Sequence, residues 1–205
     1  MTQPPEIERV LFTEEQVAQR IGEVGAEISE KFRGRDLKLI GVLKGSVFFL
    51  TALARAISIP VKIDFLAISS FGGAANIDGR GGAANIDGRG GAAPGMVRIA
   101  KDLDDPIEDE DVLLVEDIVD TGFTTRYLLQ TLAGRGPRSL AICTLLDRTV
   151  RRIVQVPVAF RCFEIPDRFV VGCGLDYKQL YRNLGYIAAM NPSHLNQAPL
   201  NPEKN

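Results

Sequence analysis

Within VEDIVDTGFTT, residues 115–125, an apolar run delivers two adjacent carboxylates, Glu116 and Asp117, then a third, Asp120, followed by Thr121, Gly122, Phe123, Thr124 and Thr125. In an open α/β sheet, ligands bind beyond the carboxyl ends of the strands. A glycine turn that opens a helix there presents unpaired N–H groups to an anion. Threonine hydroxyls add donors. The combination suits a phosphate held from Thr121 to Thr125, beside sugar hydroxyls held by Glu116 and Asp117, with Mg²⁺ joining the carboxylates to a more distant anion. Taken singly, acidic residues and threonines end strands and cap helices; eleven ordered positions go beyond that. Two other phosphate-binding patterns are excluded, because no GxxxxGK[ST] occurs in the chain and GxGxxG is missing at this turn.

The flanking sequence supplies the elements that must position these groups. Thr13 and Gln16 make a capping box, and Val17, Ile21, Val24 and Ile28 then recur at helical spacing as far as Gly34. LKLIGVL, residues 37–43, reads as a strand. It runs into a Lys44, Gly45, Ser46 turn and a helical pattern that ends before Pro60. VKIDFLAIS, residues 61–69, reads as a strand with MVRIAKDL, residues 96–103, as its antiparallel return. DVLLVED, residues 111–117, has the continuous apolar character of a buried strand, and a helix is expected from Thr124 toward Gly134. SLAICTLLD, residues 139–147, and FVVGCGLD, residues 169–176, are two further strand-like segments. Strands alternating with helices predict an α/β fold with a mainly parallel sheet.

Between the strand at 61–69 and its return, GGAANIDGR at residues 72–80 is repeated at 81–89. Two copies do not build a solenoid, so residues 70–95 are expected to form a flexible loop. With 205 residues, 45% of them hydrophobic, the chain has the content of one domain over residues 1–190. The polar stretch 191–205, with three prolines, is expected to be a disordered tail.

A formal net charge of -2 provides no global attraction for nucleic acid or an anionic membrane. No apolar stretch approaches the roughly 18 residues of a membrane span. Cys143, Cys162 and Cys173 are odd in number and lack CxxC spacing, which disfavours a disulfide framework and a zinc site; they read as reduced thiols. A soluble, cytoplasmic protein is expected. His194, the only histidine, falls in the tail, so histidine-dependent triads are out of contention and acid-base work must fall to carboxylates.

The pattern at 115–125 resembles the motif with which type I phosphoribosyltransferases bind phosphoribosyl pyrophosphate (PRPP). The likeness extends from about Val10 to Met190 and is nearest to the hypoxanthine-guanine phosphoribosyltransferases. GVLKGS, residues 41–46, resembles that family's pyrophosphate loop, which implies pyrophosphate binding at Lys44 and Gly45 and a cis peptide between Leu43 and Lys44. SSFGG, residues 69–73, resembles the start of its mobile active-site loop, with Ser70 matching and Phe71 standing where the family usually has Tyr. LLDR, residues 145–148, resembles the segment whose last position is normally a Lys donating to the purine 6-oxo group; here that position is Arg148. IPDRFVVGCGLDYKQLYRNL, residues 165–184, is similar to the purine-binding segment. There the resemblance implies that Phe169 stacks on the base, the Val170 backbone reads its edge, Asp176 binds Mg²⁺ and Arg182 contacts pyrophosphate.

The resemblance further implies a type I phosphoribosyltransferase fold with a small hood lobe and a mobile loop. The expected activity is Mg²⁺-dependent purine salvage, in which PRPP and a 6-oxopurine give a nucleotide and pyrophosphate. Asp120 is the expected general base, the turn from Thr121 to Thr125 the 5-phosphate site, and Glu116 and Asp117 the ribose and metal carboxylates. A homodimer or homotetramer is expected on the same ground. A xanthine-preferring enzyme and a nucleotide-sensing regulator of the same fold are the alternatives. The regulator is disfavoured because neither a basic face nor an added DNA-binding segment is visible.

Overall fold

The computed structural model describes residues 4–71 and 96–195, with the backbone alone given at Ser70, Phe71, Met96 and Val97. The GGAANIDGR repeats and residues 196–205 lie outside the described residues.

The larger of two sheets contains six strands: β2 (Leu37–Leu43), β3 (Val61–Phe71), β4 (Met96–Lys101), β5 (Asp111–Val119), β6 (Ser139–Asp147) and β7 (Val158–Glu164). Their order is β4-β3-β2-β5-β6-β7, parallel throughout except for the antiparallel edge strand β4. Central strands of such a sheet are covered on both faces and read as unbroken apolar runs. Accordingly Leu37 to Gly41 of β2 and Asp111 to Glu116 of β5 are buried.

Alternate side chains feed two cores. Leu113 and Val115 join helices α1 (Glu14–Lys31) and α2 (Ser46–Ala56) on one face. Val112 and Leu114 join α3 (Phe123–Ala133) on the other. The predicted capping box starts α1, with Gln16 N–H donating to Thr13 Oγ1 at 3.3 Å and Thr13 N–H to Gln16 Oε1 at 2.9 Å. Val17, Ile21, Val24 and Ile28 form its buried stripe. Gly25 lets α1 approach α2, since a Cβ there would lie 2.7 Å from Ala56 Cβ.

Chain order places the site. After β2 the chain turns through α2 to β3 on one side; after β5 it turns through α3 to β6 on the other. Because β2 and β5 are neighbours, the connections diverge between their carboxyl ends and leave a crevice there.

The smaller, three-stranded sheet pairs β1 (Ile7–Phe12), β9 (Ile187–Met190) and β8 (Val170–Val171) in the antiparallel order β1-β9-β8, and forms the hood lobe. Its core contains Ile7, Val171, Tyr177, Ala188 and Met190. The strand expected over 169–176 is confined to Val170 and Val171. Gly172, Cys173 and Gly174 follow with φ of 102°, 48° and 100°, and this left-handed run cannot continue a ladder. Within the stretch read as tail, Pro192–Leu195 close a single helical turn (α4), whose His194 and Leu195 carbonyls accept from Tyr177 Oη at 3.0 and 3.2 Å. All three cysteines are free, as expected. Among the described residues no helix is long and apolar enough to cross a membrane.

Candidate active site

Two glycine turns face the crevice. After β2, the peptide joining Leu43 and Lys44 is cis, as anticipated, and Gly45 begins α2 with the Lys44 side chain exposed. Gly45 is required by contact, because a Cβ there would lie 1.6 Å from Asp117 Oδ2. Behind it, Gly174 packs so closely that its own Cβ would lie 1.9 Å from the Gly45 carbonyl.

The second turn follows β5. Gly122, at φ 90°, precedes α3, which starts without a side-chain cap; its first backbone bond runs from Arg126 N–H to the Gly122 carbonyl at 2.9 Å. The N–H groups of Phe123, Thr124 and Thr125 therefore lie ahead of the first helical bond and are oriented for an anion. Thr125 is buried, whereas Phe123 is 56% exposed, so its backbone, not its ring, faces the turn's chemistry. A Cβ on Gly122 would meet the Val154 carbonyl at 2.2 Å, which explains the glycine independently of its φ.

The carboxylates between these turns differ. Glu116 is buried, and its Oε1 has no hydrogen-bond partner among the described residues. Burial, reinforced by the charge of Asp117, pushes its carboxyl well above the ordinary range. Burial also pushes Asp117 up to about 6. The Ile118 N–H, the Asp117 N–H and the Arg182 charge oppose that shift, and the Asp176 charge adds to it. Asp117, Asp176 and Arg182 thus share one electrostatic neighbourhood. In it, Arg182 bonds Asp176 Oδ1 at 2.7 Å and the Gly174 carbonyl at 2.6 Å. Asp176 Oδ2 also accepts the Gln179 N–H at 2.8 Å.

Asp120 has cationic partners. Its Oδ2 accepts from Arg148 Nη1 at 3.2 Å, and Arg151 Nε lies 3.9 Å from its Oδ1, which has no hydrogen bond among the described residues. Arg148 is buried and reaches the Arg168 carbonyl at 2.6 Å, next to Phe169. The Phe169 ring is half-buried and packs edge-on against Tyr177 at 5.7 Å. Val170 is buried in β8 and paired with Ala189. Ser70 and Phe71 sit at the end of β3 opposite Val97 and Met96; their side chains lie outside those described.

The sequence matches the phosphoribosyl transferase domain over residues 11–178. The chain belongs to this family. Among curated phosphoribosyltransferases it is 45% identical over 195 residues to the hypoxanthine-guanine phosphoribosyltransferase of Mycobacterium avium, covering 92% of this chain and 88% of that protein. Against the hypoxanthine phosphoribosyltransferase of Escherichia coli the identity is 43% over 180 residues, with 87% and 92% covered. The hypoxanthine phosphoribosyltransferase of Trypanosoma cruzi, solved in complex with the product IMP, superposes with a TM-score of 0.81 at 34% identity, covering 95% of this chain and all of that one (100%). The Staphylococcus aureus enzyme superposes at 0.79 with 37% identity and coverage of 92% and 94%. The type I phosphoribosyltransferase fold expected from the sequence is the fold observed.

Arg152, Asp147, Arg151 and Gly174 were not among the residues picked out from the sequence, although Arg152, Arg151 and Gly174 touch candidate ones and Asp147 holds Arg152. Arg152 Nε donates to the Asp120 carbonyl at 2.9 Å and its Nη2 to the Val119 carbonyl at 3.2 Å, while Asp147 forms a tight ion pair with it. The available signal was the Arg151-Arg152 pair following a strand that ends in a carboxylate. An arginine near a buried aspartate at a strand end needs a partner.

Proposed function

We propose that this chain is a purine-salvage enzyme that transfers the 5-phosphoribosyl group of PRPP to hypoxanthine or guanine, giving IMP or GMP and pyrophosphate. The observation that supports this best is the meeting, at one crevice, of an uncapped helix start, the buried Glu116 beside the half-buried Asp117, and the partly exposed Asp120, in a chain whose named relatives act on these bases.

In this reading the turn from Thr121 to Thr125, Phe123 included, holds the 5-phosphate through backbone N–H groups and threonine hydroxyls. Glu116 and Asp117 accept from the ribose hydroxyls. Such donors would occupy Glu116 Oε1, which otherwise stays buried without a hydrogen bond among the described residues. Lys44, Gly45, Ser70, Phe71 and Arg182 contact pyrophosphate; Arg148, Phe169 and the Val170 backbone contact the purine. The base N9 attacks the anomeric carbon as its bond to the pyrophosphate oxygen breaks. Asp120 accepts the N7 proton at its partly exposed carboxylate, which Arg148 holds through Oδ2.

The chain fits a magnesium requirement. Asp176, Glu116 and Asp117 offer hard oxygen donors, and Asp176 and Asp117 lie in one electrostatic neighbourhood. An ion there would be held by one or two of these carboxylates together with substrate oxygens. Mg²⁺ held there would neutralise the pyrophosphate charge that develops as the leaving group departs. We read the assembly as a homodimer or homotetramer and the compartment as cytoplasmic on the family likeness, which light scattering and cell fractionation would decide.

The deciding measurement is pyrophosphate release with PRPP, Mg²⁺ and a panel of hypoxanthine, guanine, xanthine and adenine. Hypoxanthine and guanine should turn over, and EDTA should abolish the reaction. Xanthine as the preferred base would correct the substrate, and no turnover with any base would point to a regulator.

A further inference from the structure

The segment after β6 is bound to the phosphate turn by a set of contacts that share one direction. The carbonyls of Val119, Asp120 and Thr121 are consecutive, and each is bound by residues of 148–154. Val119 O accepts from Arg148 N–H at 2.9 Å and Arg152 Nη2 at 3.2 Å; Asp120 O accepts from Arg152 Nε at 2.9 Å; Thr121 O accepts from the N–H groups of Ile153 and Val154, both at 2.9 Å. In a trans peptide the C=O of one residue and the N–H of the next point in opposite directions. Fixing these three carbonyls therefore turns the N–H groups of Asp120, Thr121 and Gly122 away from 148–154. Those of Thr121 and Gly122 donate to no other described residue.

Only the middle carbonyl relies on a side chain alone. The bonds to Val119 and Thr121 include backbone donors, but Asp120 O is held by Arg152 Nε. Arg152 is 8% exposed and is itself held by Asp147, 5% exposed, whose other oxygen takes Arg161 at 3.1 Å. A planar guanidinium gives two carbonyls and a carboxylate their donors from one rigid fork, which a lysine ammonium cannot reproduce. The Arg152 Cδ lies 3.1 Å from where a Gly122 Cβ would stand, so the same side chain also packs against the turn.

We infer that Arg152, anchored by Asp147, is a positioning residue for 5-phosphate binding. By holding the Asp120 carbonyl it aims the Thr121 N–H at the phosphate, without touching substrate itself. This inference rests on the phosphoribosyltransferase reading. It predicts a larger effect on ligands that carry the 5-phosphate than on the free base, because the carbonyls Arg152 bonds are those that set the phosphate turn. On its outer side the Asp147–Arg152 pair lines a cleft of about 510 Å³ with Arg20, Glu27, Gln155 and Arg161, which gives a small cation access to the position of a truncated Arg152.

The test compares Arg152→Ala, Arg152→Lys and Asp147→Asn with the unaltered enzyme, measuring KM for PRPP, KM for hypoxanthine, IMP affinity and thermal melting. Arg152→Ala should raise the PRPP KM and weaken IMP by about tenfold or more, roughly the effect of one lost charge-assisted bond. The hypoxanthine KM should move less than about twofold. Arg152→Lys should fall between, Asp147→Asn should shift the same constants less, and guanidinium ion should partly restore IMP binding to Arg152→Ala. If Arg152→Ala does not fold, the KM split is read on Arg152→Lys. Equal changes in both KM values, or a lower melting temperature with unchanged PRPP KM, would overturn the positioning role. An unaltered enzyme without turnover would instead remove the transferase reading on which it rests.

Discussion

Glu116 and Asp117 share the end of one strand with Asp120, yet the fold treats the two groups in opposite ways. Glu116 is buried and Asp117 half-buried. Loss of hydration is the main influence on both, and the one nearby cation acting on Asp117, Arg182, is itself paired with Asp176. Asp120 projects to where its side chain is 30% exposed, and two arginines lie beside it. A buried carboxylate without a cation is costly to ionise, so such a pair is suited to accept hydroxyls and a metal when ligand arrives. Asp120, by contrast, has opposite charge beside it before any ligand binds. The strand thus holds one pair that the ligand completes and one group already prepared.

The largest effect expected from breaking this division is at Asp120. Asp120→Asn keeps the side-chain shape but removes the proton acceptor, so turnover with hypoxanthine should fall by about a hundredfold or more. The PRPP KM should stay within about threefold, since the neighbouring backbone is held by Arg152 and not by this side chain. Steady-state kinetics on both substrates check this, and unchanged turnover would reassign the base.

The other half of the comparison predicts a stability effect. In the ligand-free protein Asp117 is raised from its ordinary 3.8 to about 6. The folded state therefore binds a proton that the unfolded chain has already lost, and stability falls as pH rises from about 4 through 6. At neutral pH the cost is on the order of 3 kcal/mol. Asp117→Asn removes it, so the variant should melt roughly 5 °C or more higher at pH 7.5, with the gap closing toward pH 4. It should also bind PRPP more weakly, which makes Asp117 a site where stability is given up for ligand. A melting difference independent of pH would show that Asp117 is not the group responsible.

How far the sequence disclosed this arrangement depended on the kind of signal. β2 and β6 match their sequence boundaries because buried parallel strands are continuous apolar runs. β7 and β1 are partly exposed strands whose buried positions are interrupted, and neither is expected from the sequence. Among candidate residues, those in contiguous motifs were legible. Arg152 was not, because its meaning lies in two carbonyls some thirty residues earlier that only the β5–β6 pairing brings alongside. Gly174 was missed for the same reason, since its partner is the carbonyl of Gly45 in another loop.

The smallest expected effect sharpens the comparison from the Asp120 side. The Arg148 guanidinium spans Asp120 Oδ2 at 3.2 Å and the Arg168 carbonyl at 2.6 Å. A lysine ammonium is a point donor on a flexible stem and would not hold both acceptors in the same plane. Arg148→Lys should therefore change how the strand start at Phe169, the proposed base contact, is set relative to Asp120, while leaving the Arg152 contacts to the Val119 and Asp120 carbonyls in place. The ratio of kcat/KM among hypoxanthine, guanine and xanthine should shift by about three- to tenfold, with the PRPP KM within about twofold. A changed PRPP KM with unchanged base ratios would confine Arg148 to the support of Asp120. The division at the end of β5 would then lie between two ribose-phosphate functions, not between sugar and base.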